Sequence, residues 1–306
     1  MTVDYKLSKT MRDYLRKKKL NPDTKGVKAT IKALKNRGLC FEDGNLTERG
    51  IVVAISLLPL SKQCYFMNIP LEQLVLEYYG YPEEAVLSHL ASSSKLVYLT
   101  ENTFGIHVAQ FFMFKYQYEI AVKHKLNLYS IAFTFDDYSR KFIYEEILNS
   151  LDEMINNLNA DTIEENYQLI KTLNRQHNPV LSFSITINDN DDNNEVNVSL
   201  SEPRDKNGQF MMTYFYQDIW DIEFYKNLYS FLGIEFIRKL IKLIIYNPQN
   251  YATGWPDIVV LEKEPYFIEV KTTDRFHISQ IITMRDVIKK IGIPIKCVKV
   301  TKTKKA

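Results

Sequence analysis

Along the first 60 residues the apolar positions fall at helical spacing. Leu7, Met11, Tyr14 and Leu15 line one side of residues 7–19, and Val27, Ile31 and Leu34 line one side of residues 24–38. Recurrence at i, i+3 and i+4 marks an amphipathic helix. Asn21-Pro22-Asp23 breaks the first pattern, and Gly38 suits the C-terminal cap of the second. Leu39-Cys40-Phe41, the turn Glu42-Asp43-Gly44-Asn45 and Leu46 read as a short β-ribbon, and Thr47-Glu48-Arg49-Gly50 opens a further helix. Residues 51–178 keep a mostly helical rhythm, punctuated by Pro59, Pro70 and Pro82. Residues 180–188 and 196–201 alternate instead, the period-two pattern of strands, on either side of the polar run Asp189–Glu195. After a loop over 202–210, residues 228–246 read as a helix interrupted or begun at Gly233. Ile258–Leu261 and Tyr266–Lys271 read as strands joined by a turn at 262–265. Residues 278–291 then form a helix, and Ile293–Val300 a last strand. The pattern predicts an α/β protein with a mixed α/β/α C-terminal domain over 206–306. A mainly helical middle over 61–205, with a hairpin near 180–201, and a separate front over 1–60 precede it.

The order of that front, helix, helix, ribbon and helix, resembles a winged helix, in which one helix enters the major groove of DNA. The second pattern carries Lys25, Lys28, Lys32 and Lys35, and positions 28, 32 and 35 share one side. A lysine-rich solvent face, or a winged helix that binds protein, stays open beside DNA binding.

Charge distribution changes this picture more than composition does. The chain has 306 residues, 45% hydrophobic and 25% charged, an ordinary globular balance that excludes wholesale disorder. The net charge is only +2. Residues 1–38 nevertheless carry 12 Lys/Arg against 3 Asp/Glu, and residues 261–306 carry 11 against 5. The stretch 39–260 carries 16 against 29. Basic ends around an acidic middle suit a polyanion held at two places. The longest uncharged apolar run, Ile51–Ser61, is too short to span a bilayer, so no membrane partner is expected. The first residues lack the apolar core of a signal peptide. Cys40, Cys64 and Cys297 are odd in number and form no CxxC pair, which argues against a disulfide framework and a cysteine zinc site and fits a reducing cytoplasm.

Candidate chemistry gathers in the C-terminal third. Asp257 opens the first strand of the expected hairpin; Glu269 and Lys271, two apart on the second, point to one face. If the strands pair through the turn at 262–265, two carboxylates and an ammonium converge. Such carboxylates repel, and one pKa rises. A divalent cation removes the conflict, and hard oxygen ligands suit Mg²⁺ or Mn²⁺, with the Val270 carbonyl as a further donor. Lys271 is then placed to orient or deprotonate the attacking water. This is equipment for metal-assisted hydrolysis of a phosphodiester. The acidic run Asp189–Glu195 lacks the glycine of an EF-hand, and Leu200 sits where the bidentate Glu should be, so it reads as a polar hairpin tip. Five scattered histidines and the absence of GxxxxGK[ST], GxGxxG and GxSxG motifs give no support to other catalytic classes.

Gly254-Trp255-Pro256-Asp257 followed by Glu269-Val270-Lys271 resembles the PD-(D/E)XK nucleases, and with Gln280 downstream resembles their VRR-NUC branch. The wider run, Tyr216–Phe224 and then Leu232-Gly233-Ile234-Glu235, resembles the nuclease domain of the Fanconi-associated nucleases, over about residues 210–300. The resemblance implies a restriction-endonuclease-like fold. It also implies Asp257 and Glu269 as metal ligands, Lys271 as catalytic, and Gln280 beside the site on the next helix. An acid on the preceding helix often completes such sites; Glu235 is the candidate and Glu223 its rival. Thr272–Ser279 is shorter than the family's usual link and lacks its glycine. Arg275, within it, is a candidate phosphate contact. The implied substrate is branched or flapped DNA, in repair, recombination or mobile-element processing. A restriction-type defence nuclease and a DNA-binding regulator with a silent nuclease fold remain as alternatives. RNA as substrate and a homodimer also stay open.

Overall fold

The helices of the front begin where side chains can satisfy their first N–H groups. Ser8 Oγ accepts from the Met11 N–H at 3.3 Å to start α1 (Lys9–Leu20), and Thr47 Oγ1 accepts from the Gly50 N–H at 3.0 Å to start α3 (Glu48–Ser56). Lys17, Lys18 and Lys19 close α1, where the helix dipole favours cations. Between them lie α2 (Lys28–Lys35) and a single antiparallel bridge, Cys40 to Leu46. Their apolar stripes meet in one cluster of Tyr14, Leu15, Leu34, Leu39, Val53 and Ala54. α4 (Leu60–Met67) follows and ends at the left-handed Asn68.

These elements come from a computed structural model that describes residues 6–93, 95–100, 104–124, 149–176, 182–185, 198–201, 221–246, 251 and 253–303. The acidic run Asp189–Glu195 and the loop 202–210 lie outside the described residues. The chain divides into two units, one of residues Met1–Gln110 with Asn227–Ala306 and one of residues Phe111–Lys226.

The first unit is built on a five-stranded mixed sheet of order β1-β7-β6-β5-β2, made of β1 (Leu71–Leu76), β2 (Leu96–Leu99), β5 (Ile258–Leu261), β6 (Tyr266–Lys271) and β7 (Ile295–Lys302). β1 and β6 lie parallel to β7, whereas β5 runs antiparallel to both β6 and β2. α5 (Pro82–Ala91) covers one face through Val86, against Ile258, Val260, Ile268, Val270, Val298 and Val300. The other face carries Val259, Phe267, Glu269, Lys271 and Cys297, the alternate positions of the same strands. α9 (Ile222–Tyr246), kinked at Gly233 where φ is 74°, enters this unit and reaches Tyr98 of β2 through the Asn227 amide at 3.0 Å. α10 (Ile278–Asp286) passes into a π turn over Val287–Ile291, and its Ile278 packs on the front cluster. The fold is thus mixed α/β, as the pattern predicts.

Two of the five strands fall where the pattern predicts helices. β1 reads Leu71, Leu74, Val75 and Leu76, which fits an i, i+3, i+4 helix equally well. As an edge strand it leaves Gln73 and Val75 exposed, so period-two alternation is weak. β2 is four apolar residues, too short to declare a period.

In the second unit, α6 (Phe104–His124), which begins in the first, is followed by α7 (149–156), α8 (Ala160–Gln176) and a two-stranded ladder of β3 (Ser182–Ile185) and β4 (Val198–Ser201). Asn159 Oδ1 accepts from the Asp161 and Thr162 N–H groups to start α8. Asn166, buried on α8, fixes α6 by accepting from the Lys115 N–H at 3.2 Å and donating to the Phe111 carbonyl at 3.0 Å. The Phe111 ring stacks on Tyr225 with centroids 3.5 Å apart. No helix among the described residues is long and apolar enough to cross a membrane.

Candidate active site

The turn into β5 is held from several directions. Gly254 has φ of 86°, and a Cβ there would lie 2.6 Å from the Ser279 carbonyl carbon and 2.7 Å from the Gln280 nitrogen. Only glycine allows the turn to lie against the start of α10. Trp255 is buried, donates from Nε1 to the Tyr251 carbonyl at 2.9 Å, and packs its ring against Phe104 and Phe267. Thr283 Oγ1 donates to the Thr253 carbonyl at 2.9 Å, and the Thr100 N–H to the Asp257 carbonyl at 2.8 Å. Asp257 therefore enters β5 from a fixed backbone.

Ile258 pairs with Ile268, so one step further Asp257 stands opposite Glu269. The Val270 N–H donates to Asp257 Oδ2 at 2.7 Å, which orients the carboxylate towards β6. Glu269 is wholly buried. Its Oε1 accepts from Lys271 Nζ at 2.6 Å and from the Gln280 amide. Among the described residues its Oε2 has no hydrogen-bond partner. Gln280 is itself set by the His277 N–H, which donates to Oε1 at 3.0 Å at the start of α10. Asp274 reaches Lys271 Nζ at 3.4 Å from the other side.

Electrostatics follow from this packing. Burial, and then the neighbouring Asp257 carboxylate, push the Glu269 carboxyl up to about 8, against the pull of Lys271. Burial by itself lowers Lys271, but the carboxylates of Glu269, Asp274 and Asp257 outweigh it and the net shift is upward. Lys271 is therefore an ammonium at neutral pH, a hydrogen-bond donor rather than a base.

A buried carboxylate oxygen without a donor is costly unless something outside the chain completes it. Among the described residues no group of three or more His, Cys, Asp or Glu surrounds that oxygen. The nearby donors are hard oxygens and few, which fits a divalent cation that retains several waters.

Other sequence candidates lie elsewhere. Glu235 follows the Gly233 kink on α9, is two-thirds exposed and pairs with Arg238 at 3.2 Å. Glu223 pairs with Lys226. Lys25, Lys28 and Lys32 are exposed, and Lys35 is ion-paired with Glu42. Arg275 is exposed and donates to the Leu57 carbonyl at 3.2 Å.

Sequence reasoning misses Gln63. This glutamine is wholly buried on α4. Its amide donates to the Ile55 and Phe276 carbonyls at 3.1 and 3.3 Å and accepts from the Phe276 N–H at 2.8 Å. It thereby clamps the link between Lys271 and Gln280 onto the front helices. A lone amide among buried Leu60, Cys64 and Met67 is the only signal the sequence carries. Gln63→Leu strands those three backbone groups and is expected to cost about 2–3 kcal/mol, read as a lower urea midpoint with unchanged slope.

No family model matches the chain, and no curated protein matches it. Solved structures do. One, paFAN1 bound to DNA with a two-nucleotide 5′ flap and a gap, aligns with 91% of this chain at 12% identity and a TM-score of 0.50. Another, paFAN1 with a one-nucleotide 5′ flap, aligns with 96% at 12% identity and a TM-score of 0.47. In each case the alignment takes in 46% of the paFAN1 chain, so this protein spans about half the length of the structures it matches. At this identity the first likeness shows a shared fold.

Proposed function

We propose that the protein is a metal-dependent DNA nuclease of the PD-(D/E)XK type, VRR-NUC branch, acting on branched or flapped DNA. The observation that carries the reading is Glu269 Oε2, buried beside Asp257 and Lys271 and without a partner among the described residues. Asp257, Glu269 and the Val270 carbonyl would hold Mg²⁺ or Mn²⁺. The cation supplies Lewis-acid polarisation of the phosphate and a more acidic bound water.

The chain's own groups do the rest. Burial and Asp257 disfavour the charged form of Glu269, and a bound cation would supply the counter-charge that favours it. Lys271, held between Glu269 and Asp274, donates to the attacking water or to a non-bridging phosphate oxygen. Gln280 locks Glu269 in place through its amide. The exposed Lys25, Lys28, Lys32, Lys35 and Arg275 would contact the DNA backbone. The preference for flapped DNA draws support from the DNA in the paFAN1 structures.

The test is cleavage of labelled linear duplex, single strand, 5′ flap and four-way junction with Mg²⁺, Mn²⁺ or EDTA, beside Asp257→Ala and Lys271→Ala. Metal-dependent cleavage of a branched substrate, lost by roughly a hundredfold or more in both variants, is expected. Cleavage that survives both substitutions means the site lies elsewhere. Binding without any cleavage by the wild type returns the reading to a silent fold.

A further inference from the structure

The catalytic strand has a neighbour whose side chains share its face. β6 and β7 pair in parallel, with Glu269 beside Cys297 and Lys271 beside Lys299. β1 continues the row, with Leu71 beside Cys297 and Gln73 beside Lys299. Residues paired in adjacent strands point to the same side of the sheet, and strands stand about 4.8 Å apart. Lys271, Lys299 and Gln73 therefore form one row across three strands, on the face that bears the carboxylates.

The row behind it is closed. Cys297 is fully buried, and its thiol meets that of Cys64 on α4. The row of Lys299 is open: Lys299 is half-buried, Gln73 is exposed, and one step further Thr301 is exposed and Val75 is 66% exposed. Lys299 makes no ion pair, hydrogen bond or cation–ring contact with any described residue, unlike two other lysines of β7. Lys296 pairs with Glu72 and lies over the Tyr266 ring, and Lys302 lies over Tyr78 and Tyr79. Lys271 has Glu269 and Asp274 against it, so Lys299 is the cation of this row without a counter-charge among the described residues.

We infer that Lys299, with the Gln73 amide beside it, holds a backbone phosphate of the substrate strand next to the scissile one. The inference rests on the nuclease reading above. One strand spacing and a flexible lysine stem put the Lys299 ammonium within reach of a phosphate adjoining one seated at Lys271. Lys299 is a positioning residue: it binds the strand and takes no part in bond breaking.

The experiment is binding of a fluorescent 5′-flapped duplex in EDTA across a KCl series, for the wild type, Lys299→Gln, Lys299→Arg and Gln73→Glu. Lys299→Gln is expected to weaken binding about three- to tenfold and to lower the slope of log K against log salt by about one, the signature of one lost phosphate contact. Lys299→Arg retains the slope, and Gln73→Glu weakens binding by adding a negative charge to the same row. In Mg²⁺, Lys299→Gln raises KM and leaves kcat within about twofold. An unchanged slope in Lys299→Gln overturns this assignment and leaves the nuclease reading intact. A wild type that binds no DNA overturns both.

Discussion

Glu269→Gln is expected to abolish metal-dependent cleavage and, in the same protein, to raise the melting midpoint of the metal-free form at pH 8. The two effects have one cause. The Glu269 carboxyl is wholly buried, with Oε2 unpaired among the described residues, and burial and Asp257 raise its pKa to about 8. A group with a folded pKa above its unfolded value binds more protons in the folded state between the two values. Its stabilising contribution is whole below about 4.5 and is lost as pH rises through about 8. In EDTA the wild-type midpoint should therefore fall between pH 5 and pH 8. Glutamine keeps an oxygen for Lys271 and removes the ionisation, so the variant should lose most of that slope. The gain at pH 8 is of order 1–3 kcal/mol, or roughly 2–4 °C for each kcal/mol. On the proposed reading cleavage should drop by about a thousandfold or more, since the proposed cation would lose a charged ligand. Calorimetry at two pH values with and without EDTA, beside a cleavage assay, checks both halves. A variant less stable than wild type at pH 8 in EDTA would show that Glu269 is not the strained group.

Gly254→Ala is expected to damage the site without touching a catalytic side chain. A methyl group there meets the Ser279 carbonyl carbon and oxygen at 2.6 Å and the Gln280 nitrogen at 2.7 Å, all of them backbone. The φ of 86° adds strain for any residue with a Cβ. Overpacking and the dihedral together should cost roughly 2–5 kcal/mol. Because α10 must move away, Gln280 leaves Glu269, and cleavage should fall more steeply than stability. A urea titration and single-turnover cleavage on the same preparation separate the two losses. Near-normal cleavage in a destabilised protein would mean that the turn and α10 yield together.

Much of the site is legible in the chain because it is local. Val259 and Val260 in β5, and the alternation of Phe267, Glu269 and Lys271 against Ile268 and Val270, define a hairpin whose register follows from its short turn. The sequence leaves Glu269 or Lys271 as the neighbour of Asp257, and the observed register sets Asp257 opposite Glu269. The surroundings are less legible because they are distant in sequence. β1 and β2 join the sheet through pairings that no local pattern encodes, and one of them imitates a helix. Gln63 looks like any polar residue on a helix until its amide is found against Phe276. Lys299 looks like one more basic residue of a basic tail until the sheet order sets it beside Lys271.

The sheet order also bears on the protein's synthesis. In β1-β7-β6-β5-β2 the sheet's last strand in chain order, β7, sits between its first, β1, and the hairpin of the candidate site. Leu71 waits for Cys297 and Leu99 waits for Ile258, with the whole Phe111–Lys226 unit translated in between. Contacts that span so much chain form slowly, after the loop-closure entropy has been met. Until β7 has been made and has joined β6, Glu269 and Lys271 lack a neighbouring strand on that side, so the candidate site reaches its final surroundings only after its own hairpin has formed.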